Sequence, residues 1–227
     1  MRKFIMGLIV IAGATSCTHT NNTQSTGVPS QILIPLTAGN SWIYLDSNFA
    51  VGTGTYVNSV SDSVYVTSQS LEVGSQNGNI TFNGIYDSTG FLGTTSYLGI
   101  DPSNTAVYQY VPTDTAGGAT PSPDVIFETS TSDNVLLGQG NGPDPSDPSC
   151  ELLYTLYGYA STTVINGHTC LKNIQYTTNC SNIVIETDVT YIAPGVGIVR
   201  FEDYQTDSTG ANMKLDYSQT LQTYHLQ

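Results

Sequence analysis

Apolar and polar residues alternate with a period of two through much of this chain, a pattern typical of β-strands with one buried face. In the segment 183–191, one face would carry Ile183, Ile185, Val189 and Tyr191, and the other Glu186, Asp188 and Thr190. An antiparallel strand of this kind packs its apolar face on a core and turns its polar face to water. We therefore expect the Glu186 and Asp188 carboxylates to be solvated.

Turn signals separate the strand-like runs. Asn166-Gly167 lies between the runs 161–165 and 169–176 and predicts a two-residue hairpin turn. Ile80 and Phe82 alternate with polar neighbours until Gly84, where the phase slips, so a β-bulge is expected there. No segment after residue 17 keeps a helical period. The predicted fold is all-β and antiparallel, with roughly ten or more strands in a β-sandwich or a partly open β-barrel.

Two segments rich in Gly, Pro, Ser and Asp, Thr113–Pro123 and Gly138–Ser149, interrupt the alternation. Their composition argues against regular structure and predicts long loops. Because neither half of the chain has a distinct composition, we expect both loops to belong to one all-β domain spanning residues 31–227.

The N-terminus has the pattern of an export signal. Arg2 and Lys3 precede a short apolar run, which is too short to span a bilayer. The segment Ala14-Thr15-Ser16-Cys17 resembles the lipobox of bacterial lipoproteins, although Ala14 stands where Leu is usual. We therefore predict a signal peptide at residues 1–16, acylation of Cys17 by palmitate-type chains, and a disordered tether at 17–30. Ordinary signal cleavage before an incidental cysteine is the alternative.

The predicted location is the outer membrane, with the protein anchored by its lipid. The residues after Cys17 are polar and contain no acidic run. In lipoproteins of the Bacteroidetes type, an acidic run at this position often directs the protein to the cell surface. Its absence favours the periplasmic face, and the cell surface stays open as the alternative.

Charge narrows the range of partners. Removal of the signal leaves three basic against eighteen acidic residues, a net side-chain charge of −15. Nucleic acid is excluded as a partner, since phosphate binding needs Lys and Arg. The membrane contact must come from the covalent lipid. The acidity either keeps a tethered domain soluble, which is the simpler explanation, or attracts cations and cationic ligands.

Hairpin geometry predicts the cysteine pairing. In the oxidising periplasm, the three cysteines other than Cys17 form at most one intrachain bridge. In a hairpin turning at Asn166-Gly167, facing residues have numbers that sum to about 333. Cys150 and Cys180 come close to this register, whereas Cys170 would face Thr163. We predict a Cys150–Cys180 disulfide and a buried Cys170 thiol.

The search for chemistry gives no catalytic motif, and no cofactor is expected. The scattered His and Cys residues argue against zinc, so no metal site is expected either. Glu186 with Asp188, and the nearby Glu202-Asp203, could act as paired carboxylates in glycoside hydrolysis, although solvated strand carboxylates are the ordinary outcome. Two tyrosine pairs on predicted strand faces are candidate binding aromatics: Tyr108 with Tyr110, and Tyr157 with Tyr159.

Two motifs bracket the mature chain. Residues 35–44 read PLTAGNSWIY, and residues 191–200 read YIAPGVGIVR. They resemble the PLxxGNxWxY and YxAPGVGxV segments of an uncharacterised family of outer-membrane lipoproteins of the Bacteroidetes type. The resemblance implies an all-β domain without an established activity. The motif residues also have a structural explanation: Trp42 and Tyr44 enter a strand with Trp42 as a core anchor, and Pro194, Gly195 and Gly197 turn the chain between two strands.

These observations favour a non-catalytic binding or structural role in the cell envelope. Within that role, a glycan ligand predicts exposed coplanar aromatic rings, and a lipid ligand predicts a deep apolar cavity. The alternative is an envelope hydrolase acting on glycans, which predicts a pocket that brings a carboxylate pair together.

Overall fold

A computed structural model of the chain describes residues 32–75, 78–87, 96–110, 123–144, 147–206 and 212–227. Within these ranges the secondary structure is strand and turn, and no helix is long and apolar enough to cross a membrane. The predicted signal peptide, Cys17, the tether and most of the predicted loop Thr113–Pro123 lie outside the described residues.

In the part of the chain that the structure describes, twelve strands form one antiparallel sheet that curves into a nearly closed barrel. The strands are β1 Ser41–Ala50, β2 Thr55–Ser75, β3 Gly78–Asp87, β4 Ser96–Ile100, β5 Ala106–Tyr110, β6 Asp124–Glu128, β7 Val135–Asp144, β8 Asp147–Ile165, β9 His168–Thr178, β10 Val184–Ala193, β11 Gly197–Thr206 and β12 Met213–His225. The order across the sheet is β6-β5-β4-β3-β2-β1-β12-β11-β10-β9-β8-β7. The all-β prediction is confirmed, and of its two architectures the structure has the partly open barrel.

The hairpin predicted at Asn166-Gly167 is present. Ile165 pairs with His168, and Asn166 and Gly167 both have positive φ, at 50° and 82°. This is the backbone conformation of the two-residue turns that suit the twist of a hairpin.

The prediction of a long loop at Gly138–Ser149 is wrong. β7 runs to Asp144 and β8 begins at Asp147, so nearly all of this segment is strand. The glycines that suggested a loop lie instead opposite large side chains, with Gly140 facing Tyr154 and Gly142 facing Leu152. A Cβ on Gly142 would lie 3.2 Å from the Tyr154 ring. Here glycine makes room for a neighbouring strand's side chains.

The irregularity expected at Gly84 is also present, but the extra residues are in the partner strand. The β2–β3 register jumps between Val66 and Ser70, opposite Gly84. A Cβ on Gly84 would lie 2.6 Å from the Thr67 hydroxyl oxygen, so glycine is required where the inserted residues of β2 cross. The phase slip at Gly84 in the sequence therefore coincides with the extra residues of β2.

The apolar core fills one end of the barrel. Its buried members are Leu33, Ile34, Trp42, Tyr44, Val66, Ile85, Val107, Phe127, Cys170, Ile192, Ala193, Val199 and Leu221. The segment 32–40 closes this end ahead of β1. Its Leu33 N–H donates to the Asn104 side chain at 3.0 Å, and the Ile32 carbonyl accepts from Gly195 N–H at 2.6 Å.

Candidate functional site

Away from the apolar core, the inner face of the sheet becomes acidic. In an antiparallel sheet, residues paired across strands point to the same side. Asp46 pairs with Gln219, Gln219 with Phe201, and Phe201 with Thr190. The register therefore places Asp46 of β1 and the even-numbered positions of β10, including Glu186 and Asp188, on the face that carries Trp42 and Tyr44. The expectation that Glu186 and Asp188 face solvent is wrong, because the second layer in this fold is the far wall of the same barrel.

Four carboxylates from three neighbouring strands form what we call the acidic cluster: Glu186, Asp188, Asp203 and Asp216. Asp188 lies directly opposite Asp203 in the β10–β11 register. One carboxylate oxygen from each of Glu186, Asp188 and Asp203 lies within 4.8 Å of the other two. Asp216 stands at a break in the β11–β12 register, between the partners of Asp203 and Tyr204.

The protonation of the acidic cluster is shifted toward the neutral forms. Burial, reinforced by the charges of Glu186 and Asp216, raises the pKa of Asp203 to about 7. Burial and the carboxylates of Glu186 and Asp203 raise the pKa of Asp188 well above its ordinary value. The pKa values of Glu186 and Asp216 are also raised, chiefly by burial. When like charges lie close together away from water, each carboxylate binds a proton or a counter-ion more readily.

Hydrogen bonds compensate the acidic cluster only in part. The Thr177 hydroxyl donates to Glu186 at 3.1 Å, and the Gln205 amide donates to Asp203 Oδ2 at 3.2 Å. Asp203 Oδ1 and both carboxylate oxygens of Asp216 are buried without a hydrogen-bond partner. Asp203 is 8% exposed and Asp216 2% exposed, so these oxygens are also largely removed from water.

A second group of inner carboxylates lies on β1 and β2, next to β12 in the sheet. Asp46 accepts a hydrogen bond from Gln219 Nε2 at 3.2 Å, and burial raises its pKa. Asp62 is buried beside Tyr44, whose pKa burial and these two carboxylates raise. The inner face thus holds many negative groups in a confined space.

The basic side chains of the described residues do not neutralise the acidic cluster. Arg200 and Glu202 form an ion pair with an N–O distance of 2.5 Å on the alternate face of β11. Lys172 pairs in register with Tyr191, also on that face, and its ammonium lies 4.2 Å from the centroid of the Tyr159 ring. Lys214 is exposed. The cluster therefore needs protons or an external cation to balance its charge.

The tyrosines proposed as a binding platform lie on the outer face. Tyr157 and Tyr159 are half-buried on β8, and the Tyr157 ring meets Tyr176 edge-on at 5.8 Å with an angle of 68°. Tyr108 and Tyr110 are half-buried on β5, and the Tyr110 ring lies 5.6 Å from the buried Phe82. Tyr157 and Tyr159 therefore form part of a tyrosine-rich outer surface, whereas Tyr110 also contributes to packing.

The structure bonds Cys150 to Cys180, the pair derived from the hairpin register, with a Cα–Cα distance of 5.5 Å. Cys170 is a buried free thiol paired in register with Thr163. Burial raises the pKa of Cys170, which disfavours the reactive thiolate.

The motif residues have structural roles. Trp42 is buried and its indole N–H donates to the Val196 carbonyl at 2.6 Å, while the Tyr44 hydroxyl donates to the Ile198 carbonyl at 3.0 Å. Pro194, Gly195 and Gly197 form the β10–β11 turn, where both glycines have positive φ. The two motifs therefore contact each other at the apolar end of the barrel.

No protein-family model matches the sequence, and no curated protein matches it significantly. Two solved structures are similar in outline. An exported protein of Bacteroides fragilis described as having a YmcC-like fold is 13% identical with a TM-score of 0.47, over 86% of this chain and all of its own. A structure described as a lipoprotein of Parabacteroides distasonis is 15% identical with a TM-score of 0.44, over 86% of this chain and 99% of its own. Likeness at this level carries no argument about function, and the lipoprotein family suggested by the two motifs stays a prediction.

Proposed function

We propose that this protein is a lipid-anchored, non-catalytic binding protein of the bacterial cell envelope whose barrel interior takes up a cationic ligand. The observation that carries the proposal is the acidic cluster, which has buried carboxylate oxygens without partners and no basic side chain of the described residues beside it. A buried charge is costly unless it is paired. A cation that enters the barrel supplies the missing partner.

The sequence supports the cellular setting of this proposal. The export signal and the lipobox-like segment ending at Cys17 favour a location outside the cytoplasm, and we expect the periplasmic face of the outer membrane, with the cell surface as the alternative. The net side-chain charge of the mature chain raises the local concentration of cations around the domain. A lipid ligand fits less well, because carboxylates of β1, β10 and β11 share the inner face beyond the packed core.

The binding test uses the full-length protein in detergent after treatment with a chelator. Thermal unfolding is followed with calcium, magnesium or spermidine, against sodium chloride of equal ionic strength. A ligand present at about one hundred times its Kd should raise the midpoint by about 5–10 °C. The double variant Asp188→Asn/Asp203→Asn should lose the rise, and Glu151→Gln, an exposed carboxylate on β8, should keep it. If none of the three cations shifts the midpoint, the proposal is wrong.

Glycan binding on the outer tyrosine surface is a second candidate within the same role. Tyr157, Tyr159 and Tyr176 meet there, with Lys172 over the Tyr159 ring. Aromatic rings of this kind stack on sugars. Loss of binding to cell-wall glycan in Tyr157→Ala/Tyr159→Ala, with the thermal midpoint unchanged, would support it.

An envelope hydrolase acting on glycans is the alternative from another class. It is favoured by the approach of Asp188 and Asp203 within 4.8 Å, near the separation of about 5–5.5 Å in retaining glycosidases, and by the raised pKa of Asp203, which suits a general acid. Release of reducing sugar from cell-wall glycan by the wild type but not by Asp188→Asn would establish it.

A further inference from the structure

The acidic cluster has the chemistry of a site for a hard divalent cation. Its groups are carboxylates, and the Thr177 hydroxyl lies beside them at 3.1 Å from Glu186. Calcium, magnesium and manganese favour such oxygen ligands, whereas zinc and copper favour imidazole and thiolate. The donor set therefore points to the first group of ions.

The separation of the carboxylates favours calcium within that group. Two oxygens bound to one calcium ion at about 2.3–2.6 Å are at most about 4.6–5.2 Å apart, whereas for magnesium the limit is about 4.0–4.2 Å. The oxygens of Glu186, Asp188 and Asp203 lie within 4.8 Å of one another. Each separation therefore lies within the span of one calcium ion, which is wider than the span that magnesium allows.

Asp216 provides an independent observation. Asp216 is only 2% exposed, and neither of its carboxylate oxygens has a hydrogen-bond partner. It stands at the β11–β12 register break, next to Tyr217, which is the β12 partner of Asp203. A sequence that buried this carboxylate for packing alone would lose stability, because an unpaired buried charge is unfavourable.

We propose that the acidic cluster is a calcium site inside the barrel, in which Glu186, Asp188 and Asp203 bind the ion and the neighbouring Asp216 adds negative charge. The inference rests on the proposed function, of which it names the ligand. The ion ties β10, β11 and β12 together at the end of the barrel that lacks the apolar core. Calcium binding should therefore stabilise the pairing of β10, β11 and β12 at that end of the barrel.

The experiment is calorimetric titration of the chelator-treated, full-length protein with calcium chloride. We expect one ion per chain, with affinity lowered more than about 100-fold, the upper range for outer-shell substitutions, in Asp203→Asn and in Glu186→Gln. Glu151→Gln makes the same charge change at an exposed position and should bind as the wild type does. Terbium luminescence gives a second readout, because Tyr154 pairs in register with Thr177, whose hydroxyl donates to Glu186, and its ring can sensitise the bound ion.

The outcomes separate this inference from the proposed function. No calcium binding at millimolar concentration, with spermidine still raising the unfolding midpoint, overturns the calcium site and leaves the cationic ligand. Binding that survives both substitutions also overturns it, since the ion would then lie elsewhere. Folding of the variants is checked by circular dichroism. In chelator, Asp203→Asn should unfold at a higher temperature than the wild type, because it removes an uncompensated buried charge, and a lower temperature for both variants would make the acidic cluster structural and overturn the proposal.

Discussion

The side-chain amide of Asn173 forms hydrogen bonds with both backbone groups of Glu128, 45 positions away in the chain. The Glu128 N–H donates to Asn173 Oδ1 at 2.7 Å, and Asn173 Nδ2 donates to the Glu128 carbonyl at 2.9 Å. Asn173 thus imitates a neighbouring strand for the end of β6, an edge strand of the sheet. Gly158, the β8 partner of Asn173, leaves the space, because a Cβ there would lie 2.7 Å from Ser130.

Replacement of Asn173 tests how the barrel is fastened. Asn173→Leu keeps the volume and removes both hydrogen bonds, which leaves two backbone groups of Glu128 without these partners. We expect the free energy of unfolding to fall by about 2–4 kcal/mol, measured by urea denaturation. Asn141→Leu, the same change at an exposed position of β7, is the comparison. An unchanged urea midpoint for Asn173→Leu would show that the contact between Asn173 and Glu128 does not contribute to stability.

Trp42 is predicted to be the main anchor of the apolar end. It is 3% exposed and contacts the β10–β11 turn, since a Cβ on Gly197 would lie 3.4 Å from its indole nitrogen. Trp42→Ala should lower the free energy of unfolding by about 3–5 kcal/mol. Trp42→Phe should lower stability by less, because it retains part of the packing, although it loses the hydrogen bond to Val196. A Trp42→Ala protein of normal stability would instead assign Trp42 to a surface or ligand role.

The Cys150–Cys180 bridge joins β8 to the turn after β9 and closes a loop of 30 residues in sequence separation. Cys180→Ser should lower stability by up to about 3–4 kcal/mol, and by less where the β8–β9 pairing already restrains the unfolded chain. Peptide mapping without reduction should give one crosslinked peptide containing Cys150 and Cys180. A Cys170–Cys180 crosslink would refute the hairpin register.

Asp101 is expected to make the β4–β5 hairpin sensitive to acid. Burial alone would raise its pKa, but hydrogen bonds from Ser103 and from the backbone of Ala106 and Thr105 hold the pKa below its ordinary value. Its stabilising effect is therefore present above the unfolded pKa, about 3.9, and is lost as the pH falls through the lower folded value. Asp101→Asn should cost about 1–2 kcal/mol at pH 7. The difference from the wild type should shrink as the pH falls through the lowered folded pKa of Asp101, and a difference that stays constant with pH would contradict the ionic origin.

Cys17 is predicted to carry the membrane anchor. Cells grown with radiolabelled palmitate should incorporate label into the protein, and Cys17→Ser should abolish it, because stable anchoring takes more than one acyl chain and a lipobox cysteine carries such a set. The Cys170→Ser variant, which removes a different thiol, should label normally. Label that persists in Cys17→Ser would show that another residue is acylated and would contradict the prediction for Cys17.

Local pattern was enough for much of the fold. The period-two alternation, the Asn166-Gly167 turn and the spacing of Cys150 and Cys180 depend on neighbours along a hairpin, so the sequence alone leads to an antiparallel β protein with the correct cysteine pair. The Gly138–Ser149 segment misled for the opposite reason. Its glycines make room for Tyr154 and Leu152 on the next strand, whereas a glycine-rich composition by itself predicts a loop.

The acidic cluster shows what only tertiary structure decided. Alternation correctly assigned Glu186 and Asp188 to one face of a strand, but it cannot say whether that face meets water or the inside of a barrel. Asp203 joins them through the β10–β11 register, and Asp216 through a register break that leaves no trace in the sequence. Strand periodicity is a property of the local backbone, whereas burial of a polar face depends on how twelve strands curve, and curvature is set by long-range pairing.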